Sequence, residues 1–230
     1  MFVISLGGSI VVPDQVDSAF LASFRDILSD HLERTSEQMI LVIGGGAPAR
    51  RYQEAYRALA RQEHERDTTL VQDWIGIMAT RLNAELVRHA LRPLCQDPVV
   101  YDPTGELPFT GRVLVAAGWK PGFSTDTVAV HLAERFGADT VINLSNIAQV
   151  YTADPRVDPE AQPLEEVSWE EFRAIVGDEW TPGRNLPFDP VATRRAAELG
   201  LRVIAADGKN LENTRAILNG QKFFGTRIGP

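Results

Sequence analysis

Short, mostly apolar runs alternate along the chain with longer stretches in which apolar residues recur every three or four positions. The runs Phe2–Leu6, Met39–Ile43, Val113–Ala117, Thr140–Leu144 and Leu201–Ala205 have the length and β-branched content of strands buried on both faces. Val99–Tyr101 and Thr226–Ile228 are shorter candidates. Between them lie amphipathic stretches. Leu21, Phe24, Leu28 and Leu32 share one helical face, as do Val128, Ala129, Leu132, Ala133 and Phe136. Ser124 or Thr125 is placed to cap the second of these helices and Gly137 to end it. Asp189-Pro190 reads as an N-cap followed by Pro at the first helical position, opening a helix that ends at Gly200. A short helix is expected near Leu211–Leu218, and one carrying Arg50, Arg51 and Tyr52 after the second strand. A further helix, around Asp73–Leu91, has Ile75, Met78, Leu82 and Leu86 on its main stripe and Trp74, Ile77, Ala84 and Val87 off it. A helix apolar on more than one side is buried on more than one side. Asp73, at its start, is most simply an N-cap or first-turn acid.

Strand–helix alternation implies a mostly parallel sheet covered on both faces, and such sheets bind ligands beyond the carboxyl ends of their strands. Three predicted strands run into glycine turns: Gly7-Gly8-Ser9, Gly44-Gly45-Gly46 and Gly118-Trp119-Lys120-Pro121-Gly122. Glycine lets the backbone approach a ligand closely, and helix N-termini offer free N–H groups to anions. Three such turns on one sheet edge suit a ligand with more than one phosphate. Arg50, one turn into the helix after Gly44–Gly46, has the spacing either to aim back at that anion or to be a solvated surface residue. Tyr151-Thr152-Ala153-Asp154-Pro155 reads as a loop whose aromatic either stacks on a base or plugs the core.

Composition narrows the chemistry. The 230 residues are 44% hydrophobic and 23% charged, with a net charge of −8, which disfavours nucleic acid and anionic membranes. Anionic ligands then need local cations, and there are only three lysines, Lys120, Lys209 and Lys222. No apolar run is long enough to span a membrane, the first residues lack the pattern of a signal peptide, and the single Cys95 suits a reducing cytoplasm. His31, His64, His89 and His131 have no metal-ligand spacing. Walker, dinucleotide-fingerprint, G-x-S-x-G and H-E-x-x-H motifs are absent.

The spaced motifs, taken in order, are GGS, GGG-x-x-x-R, D-W-I-G-I-x-A-T-R-L-N-A, G-W-K-P-G-F-S-T-D, S-N-I-A-Q-V-Y-T-A-D-P and F-D-P-V-A-T-R. From Ile4 to the closing G-T-R-I they resemble the amino acid kinase superfamily, and within it the archaeal-type uridylate (UMP) kinases. The resemblance implies a single domain over 1–230, a three-layer α/β/α sandwich with an open, mostly parallel sheet. About 1–138 would bind the phosphate acceptor and about 139–230 ATP. It implies ATP-dependent phosphorylation of UMP to UDP with Mg²⁺, a step of pyrimidine nucleotide biosynthesis, by a homodimer or homohexamer. By the same resemblance Gly7, Gly8 and Ser9 contact the transferring phosphoryl group, with Gly7 and Gly8 also on the ATP side. Gly45, Gly46 and Arg50 hold the UMP phosphate, Asp73 the ribose, and Phe123, Ser124 and Thr125 the uracil. Asp126 orients the catalytic cations, and Ser145, Asn146, Tyr151, Asp154 and Pro155 form the ATP loop. No protein side chain is assigned as a metal ligand.

The chain departs from the family pattern at four places. Ser5 and Ala47 stand where lysines are usual, Ala148-Gln149 replaces an Asp-Gly pair, and Arg194 replaces a lysine. Lys120 and Arg194 are expected to supply the missing positive charge. The alternatives are a kinase of the same fold for an isoprenoid phosphate, a carboxylate or a phosphonate, and a nucleotide or anion binder without turnover.

Overall fold

The computed structural model describes residues 1–60, 65–177 and 186–230; His64 lies outside them. The elements in chain order are β1 (Phe2–Leu6), α1 (Gly8–Val11), α2 (Ser18–Arg34), β2 (Met39–Ile43), α3 (Gly46–Leu59), α4 (Glu65–Ala90), β3 (Val113–Ala116), α5 (Thr125–Phe136) and β4 (Thr140–Ser145). They continue with β5 (Val150–Tyr151), β6 (Pro163–Leu164), β7 (Glu166–Val167), α6 (Trp169–Val176), α7 (Pro190–Glu198), β8 (Arg202–Asp207), α8 (Leu211–Leu218) and β9 (Thr226–Ile228).

A seven-stranded sheet runs in the order β3-β2-β1-β4-β8-β9-β7. The first five strands are mutually parallel, β9 runs antiparallel to β8, and β7 is parallel to β9. The apolar runs alternate their side chains between two cores. Ile4, Leu6, Met39, Leu41 and Ile43 join the helices α2, α4 and α8 on one face. Val3, Ile40 and Val42 join α5, α6 and α7 on the other. This is the expected three-layer α/β/α arrangement with a mostly parallel sheet.

Strand order reverses at β1. The chain moves outward from β1 through β2 to β3, then returns to place β4 on the other side of β1. The crevice at such a switch point, beyond the carboxyl ends, is where ligands bind in open α/β sheets. The glycine turns after β1, β2 and β3, and Ser145-Asn146 at the end of β4, open onto it.

Local signals explain most boundaries. Ser124 caps α5 by accepting from the Thr127 N–H, and Gly137 ends it in the left-handed conformation, φ 66°. Asp189 caps α7 with Pro190 at its first position. Three expectations need correction. Val99–Tyr101 forms one bridge, Val100 to Ala116, and no strand. Asp73 does not open its helix, because α4 already runs from Glu65. Within the chain α4 is buried on one side only, not on more than one: Ile77, Ala84 and Val87 are buried, whereas Met78, Leu82 and Leu86 of its main stripe are exposed.

Candidate active site

The first two glycine turns interlock. A Cβ on Gly8 would lie 2.0 Å from the Gly46 nitrogen and 2.6 Å from the carbonyl carbons of Gly44 and Gly45. A Cβ on Gly44 would lie 2.3 Å from the Gly8 nitrogen. These glycines therefore bring backbone against backbone before any ligand arrives. Gly46, at φ 65°, turns the chain into α3. Around this junction Gly7 N–H donates to the Leu144 carbonyl at 2.8 Å, Gly44 N–H to Leu6 at 2.9 Å and Ala47 N–H to Val12 at 3.0 Å. Among the described residues the N–H groups of Gly45 and Gly46 have no hydrogen-bond partner. They stand at the N-terminus of a 14-residue helix, an arrangement suited to an anion.

Beside the junction lies a cleft of about 580 Å³. Its lining brings together Ser9, Gly45, Gly46, Arg50, Asp73, Lys120, Phe123, Ser124, Thr125 and Asn146 of the residues expected from sequence. Arg50 reaches over the preceding loop, its guanidinium 3.4 Å from the Pro13 carbonyl, while its neighbour Arg51 is spent on an ion pair with Asp14. Asp73 accepts the Gly122 N–H at 3.0 Å, bridging α4 to the third turn. Burial raises its pKa above the usual carboxylate value, and that hydrogen bond opposes the rise. Lys120 lies over two rings, its Nζ 3.9 Å from the Trp119 centroid and 5.0 Å from that of Phe123. Aromatic faces attract a cation without neutralising it. His131 packs edge-on behind Trp119, and burial lowers its pKa, which keeps it from adding charge there.

Other expected residues lie outside this lining. Gly7 and Gly8 form the junction beneath it. Ser5, at the position of a usual family lysine, donates its hydroxyl to Asp126 Oδ1 at 2.9 Å. Asp126 Oδ2 accepts the Asp189 N–H at 3.3 Å. Asp126 has its pKa raised to about 7, first by desolvation and then by the charge of Asp189. Ser145 Oγ accepts the Ile147 N–H at 3.1 Å, and Tyr151 ends β5, paired with Pro163 of β6. Asp154 is exposed and chelated by Arg156, which lowers its pKa to about 2. Pro155 is exposed beside it, and Arg194 is exposed on α7.

Sequence reasoning missed Gln53, Gly76, Ile77 and Thr80, which also line the cleft. The only local signal was spacing: Gly76, Ile77 and Thr80 follow Asp73 at steps of three or four residues and so share its side of α4.

Among the described residues no three His, Cys, Asp or Glu side chains cluster to cage a metal ion. Asp189 is fully engaged, accepting from the Val191 and Ala192 N–H groups and from the hydroxyls of Ser124 and Thr127. Asp126 keeps spare lone pairs. Such a donor set fits Mg²⁺ carried on substrate phosphates and water, the usual mode for that ion, rather than a protein-built cage.

A second groove of similar volume lies at the far sheet edge between Glu166, Glu171, Arg202 and Arg227. Its arginines are occupied, Arg227 by Glu166 and Arg202 by the Pro230 carbonyl, and none of the glycine turns after β1, β2 and β3 lines it.

Comparison with known proteins gives the same picture. The chain is 35% identical to the uridylate kinase of Hyperthermus butylicus over 96% of this chain and 95% of that protein. It is 34% identical to the uridylate kinase of Methanospirillum hungatei over 98% of this chain and 93% of that protein. The crystal structure of uridylate kinase from Archaeoglobus fulgidus superposes with a TM-score of 0.80 at 32% identity, covering 99% of both chains. Residues 1–207 match the amino acid kinase family, and with the glycine turns, the switch-point cleft and the sheet order all in place, the chain belongs to that family.

Proposed function

We propose that the protein transfers the γ-phosphoryl group of ATP to UMP, giving UDP and ADP, as a nucleoside monophosphate kinase of pyrimidine biosynthesis in the cytoplasm. One observation carries the reading of the site. Gly45 and Gly46, whose N–H groups have no partner among the described residues, line the same cleft as Arg50, Asp73 and Lys120. That combination suits a nucleoside monophosphate, with a phosphate for the N–H groups and guanidinium and ribose hydroxyls for the carboxylate.

In this reading the segment 1–138 holds UMP. Gly45, Gly46 and Arg50 bind its phosphate, Asp73 its ribose, and Phe123, Ser124 and Thr125 the uracil. The segment 139–230 holds ATP, with Ser145, Asn146, Tyr151, Asp154 and Pro155 around the nucleotide. The turn Gly7-Gly8-Ser9 lies between them, under the transferring group. A UMP phosphate oxygen forms the new bond to the γ-phosphorus while the bond to the β–γ bridging oxygen breaks, leaving that electron pair on ADP. The attacking oxygen is already ionised near neutrality, since the second pKa of a phosphate monoester is about 6. Catalysis is then positioning plus charge stabilisation. Mg²⁺, when bound with the nucleotide, would neutralise phosphate charge, and Asp126 is the nearby carboxylate with lone pairs to spare for it or its water. Lys120 swings from its aromatic platform to the phosphates, and Arg194 adds positive charge from α7, replacing the lysines absent at positions 5 and 47. Asp126 orients these cations.

We also assign the outer face of α4 to a second copy of the chain. Leu70, Trp74, Met78, Leu82 and Leu86 recur every fourth residue and are all exposed, Leu82 at 69%. A continuous apolar row of that length marks an interface.

The test is ADP formation from Mg²⁺-ATP with UMP, CMP, dUMP, AMP and GMP in parallel. Preference for UMP is expected. Turnover with none of them, despite ATP binding, would refute the reading.

A further inference from the structure

Helix α4 touches both turns that line the acceptor side of the cleft, through residues with no assigned role. Asn83, buried, donates both hydrogens of its Nδ2, to the Gly44 carbonyl at 2.9 Å and to the Gly45 carbonyl at 3.0 Å. One turn earlier, Thr80 accepts the Gly118 N–H at 2.8 Å and donates to the Ile77 carbonyl at 2.6 Å. Arg81 reaches the Trp119 carbonyl at 3.0 Å and the Gly118 carbonyl at 3.4 Å. Its guanidinium is itself seated 4.6 Å from the Tyr101 ring centroid, and the Tyr101 hydroxyl donates to Glu85 at 3.0 Å.

Peptide geometry turns these contacts into consequences. In a trans peptide the C=O and the following N–H point in opposite directions. Fixing the Gly44 and Gly45 carbonyls toward α4 therefore fixes the Gly45 and Gly46 N–H groups away from it. Among the described residues those N–H groups have no hydrogen-bond partner. By the same rule Arg81 sets the peptides on either side of Trp119, from which Lys120 departs. Glycine at 118 permits this close approach: a Cβ there would lie 2.9 Å from Thr80 Oγ1.

We infer that Asn83 and Arg81 are positioning residues for the acceptor: Asn83 aims the anion-binding N–H groups, and Arg81, with Thr80, fixes the turn that carries Lys120. The inference rests on reading this cleft as the UMP site, but its structural half does not need the substrate.

The test uses Asn83→Leu, Arg81→Met and the conservative Arg81→Lys in the full chain. Residue-resolved amide exchange of the free protein is measured first. Asn83→Leu should speed exchange at Gly44 and Ala47 while sparing Gly118, and Arg81→Met should do the reverse. Kinetics follow. Each variant should raise the KM for UMP about tenfold or more while leaving the KM for ATP within about twofold. Arg81→Lys should fall between wild type and Arg81→Met, because a single ammonium cannot span two carbonyls as a planar fork does. Unchanged exchange at both turns, exchange rising uniformly across the sheet, or equal shifts in both KM values would overturn the inference. If Asn83→Leu does not fold, the two Arg81 variants decide it. If wild-type protein makes no UDP, the acceptor reading fails, and the exchange pattern alone decides whether α4 holds the turns.

Discussion

The interlock of the first two glycine turns makes Gly8→Ala a severe substitution at a position where alanine would ordinarily be harmless. The added Cβ would stand 2.0 Å from the Gly46 nitrogen, where real contacts stay beyond 3.0 Å. Every close neighbour is backbone, so no side chain can rotate away. The turns after β1 and β2 must part by about 1 Å. Overpacking a tight site costs about 1–3 kcal/mol, and rigid backbone neighbours put this case at the upper end. For a chain of this size about 3 kcal/mol lowers Tm by roughly 6–12 °C. A misplacement of about 1 Å at reacting groups also costs on the order of 100-fold in rate. Gly8→Ala should therefore lose both stability and kcat/KM. Gly137→Ala is the control. It has φ 66° but nothing within 4 Å of its new Cβ, so it should lose about 1 kcal/mol through backbone strain and keep its activity. Calorimetry with steady-state kinetics on the two variants checks this. Wild-type Tm and kcat/KM in Gly8→Ala would refute the interlock.

Three further outcomes are expected. Lys120→Ala should lower kcat about 100-fold, with Lys120→Arg retaining much of it, since one well-placed cation or donor at developing charge is worth about that factor; equal kcat in Lys120→Ala and wild type would remove Lys120 from the chemistry. Asp126 binds its proton more tightly folded, with a pKa of about 7, than at its ordinary value of 3.8. Stability should thus fall as pH rises through that window, because the native state holds the extra proton; Tm against pH should be flatter for Asp126→Asn, and an identical slope would contradict the assignment. Leu82→Glu, on the exposed face of α4, should shift the protein to a smaller species in light scattering without lowering Tm sharply, whereas an unchanged mass would place the subunit interface elsewhere.

Much of this architecture was legible in the chain. The five central strands are mostly apolar runs because both sheet faces are covered, and such runs stand out against helical spacing. The caps Ser124, Gly137 and Asp189 were legible because capping chemistry is local. Helix α6 carried an equally local signal, a Ser168–Glu171 capping box, that went unread. The β5–β6 hairpin and β7 are two-residue pairings, too short for any periodicity. Which side of α4 meets the core was not legible, because both its faces are apolar and only the tertiary structure distinguishes them. The same ambiguity hid Thr80, Arg81 and Asn83. Their work is done on backbone atoms of turns 37 to 39 residues away in sequence, and sequence carries no trace of that proximity. The glycine turns were read as places for phosphate to approach. The structure adds that Gly8, Gly44 and Gly46 must first let the turns approach each other.

The central claim is that a phosphoryl group passes from ATP to UMP in the cleft beside these turns. The most direct measurement gives the protein Mg²⁺-ATP labelled with ¹⁸O in the γ-phosphoryl group, together with UMP, and follows the label by ³¹P NMR. The account requires the labelled phosphoryl group to appear as the β-phosphate of UDP, with one ADP formed for each UDP. Labelled inorganic phosphate with UMP unchanged, or ATP left intact, would contradict it.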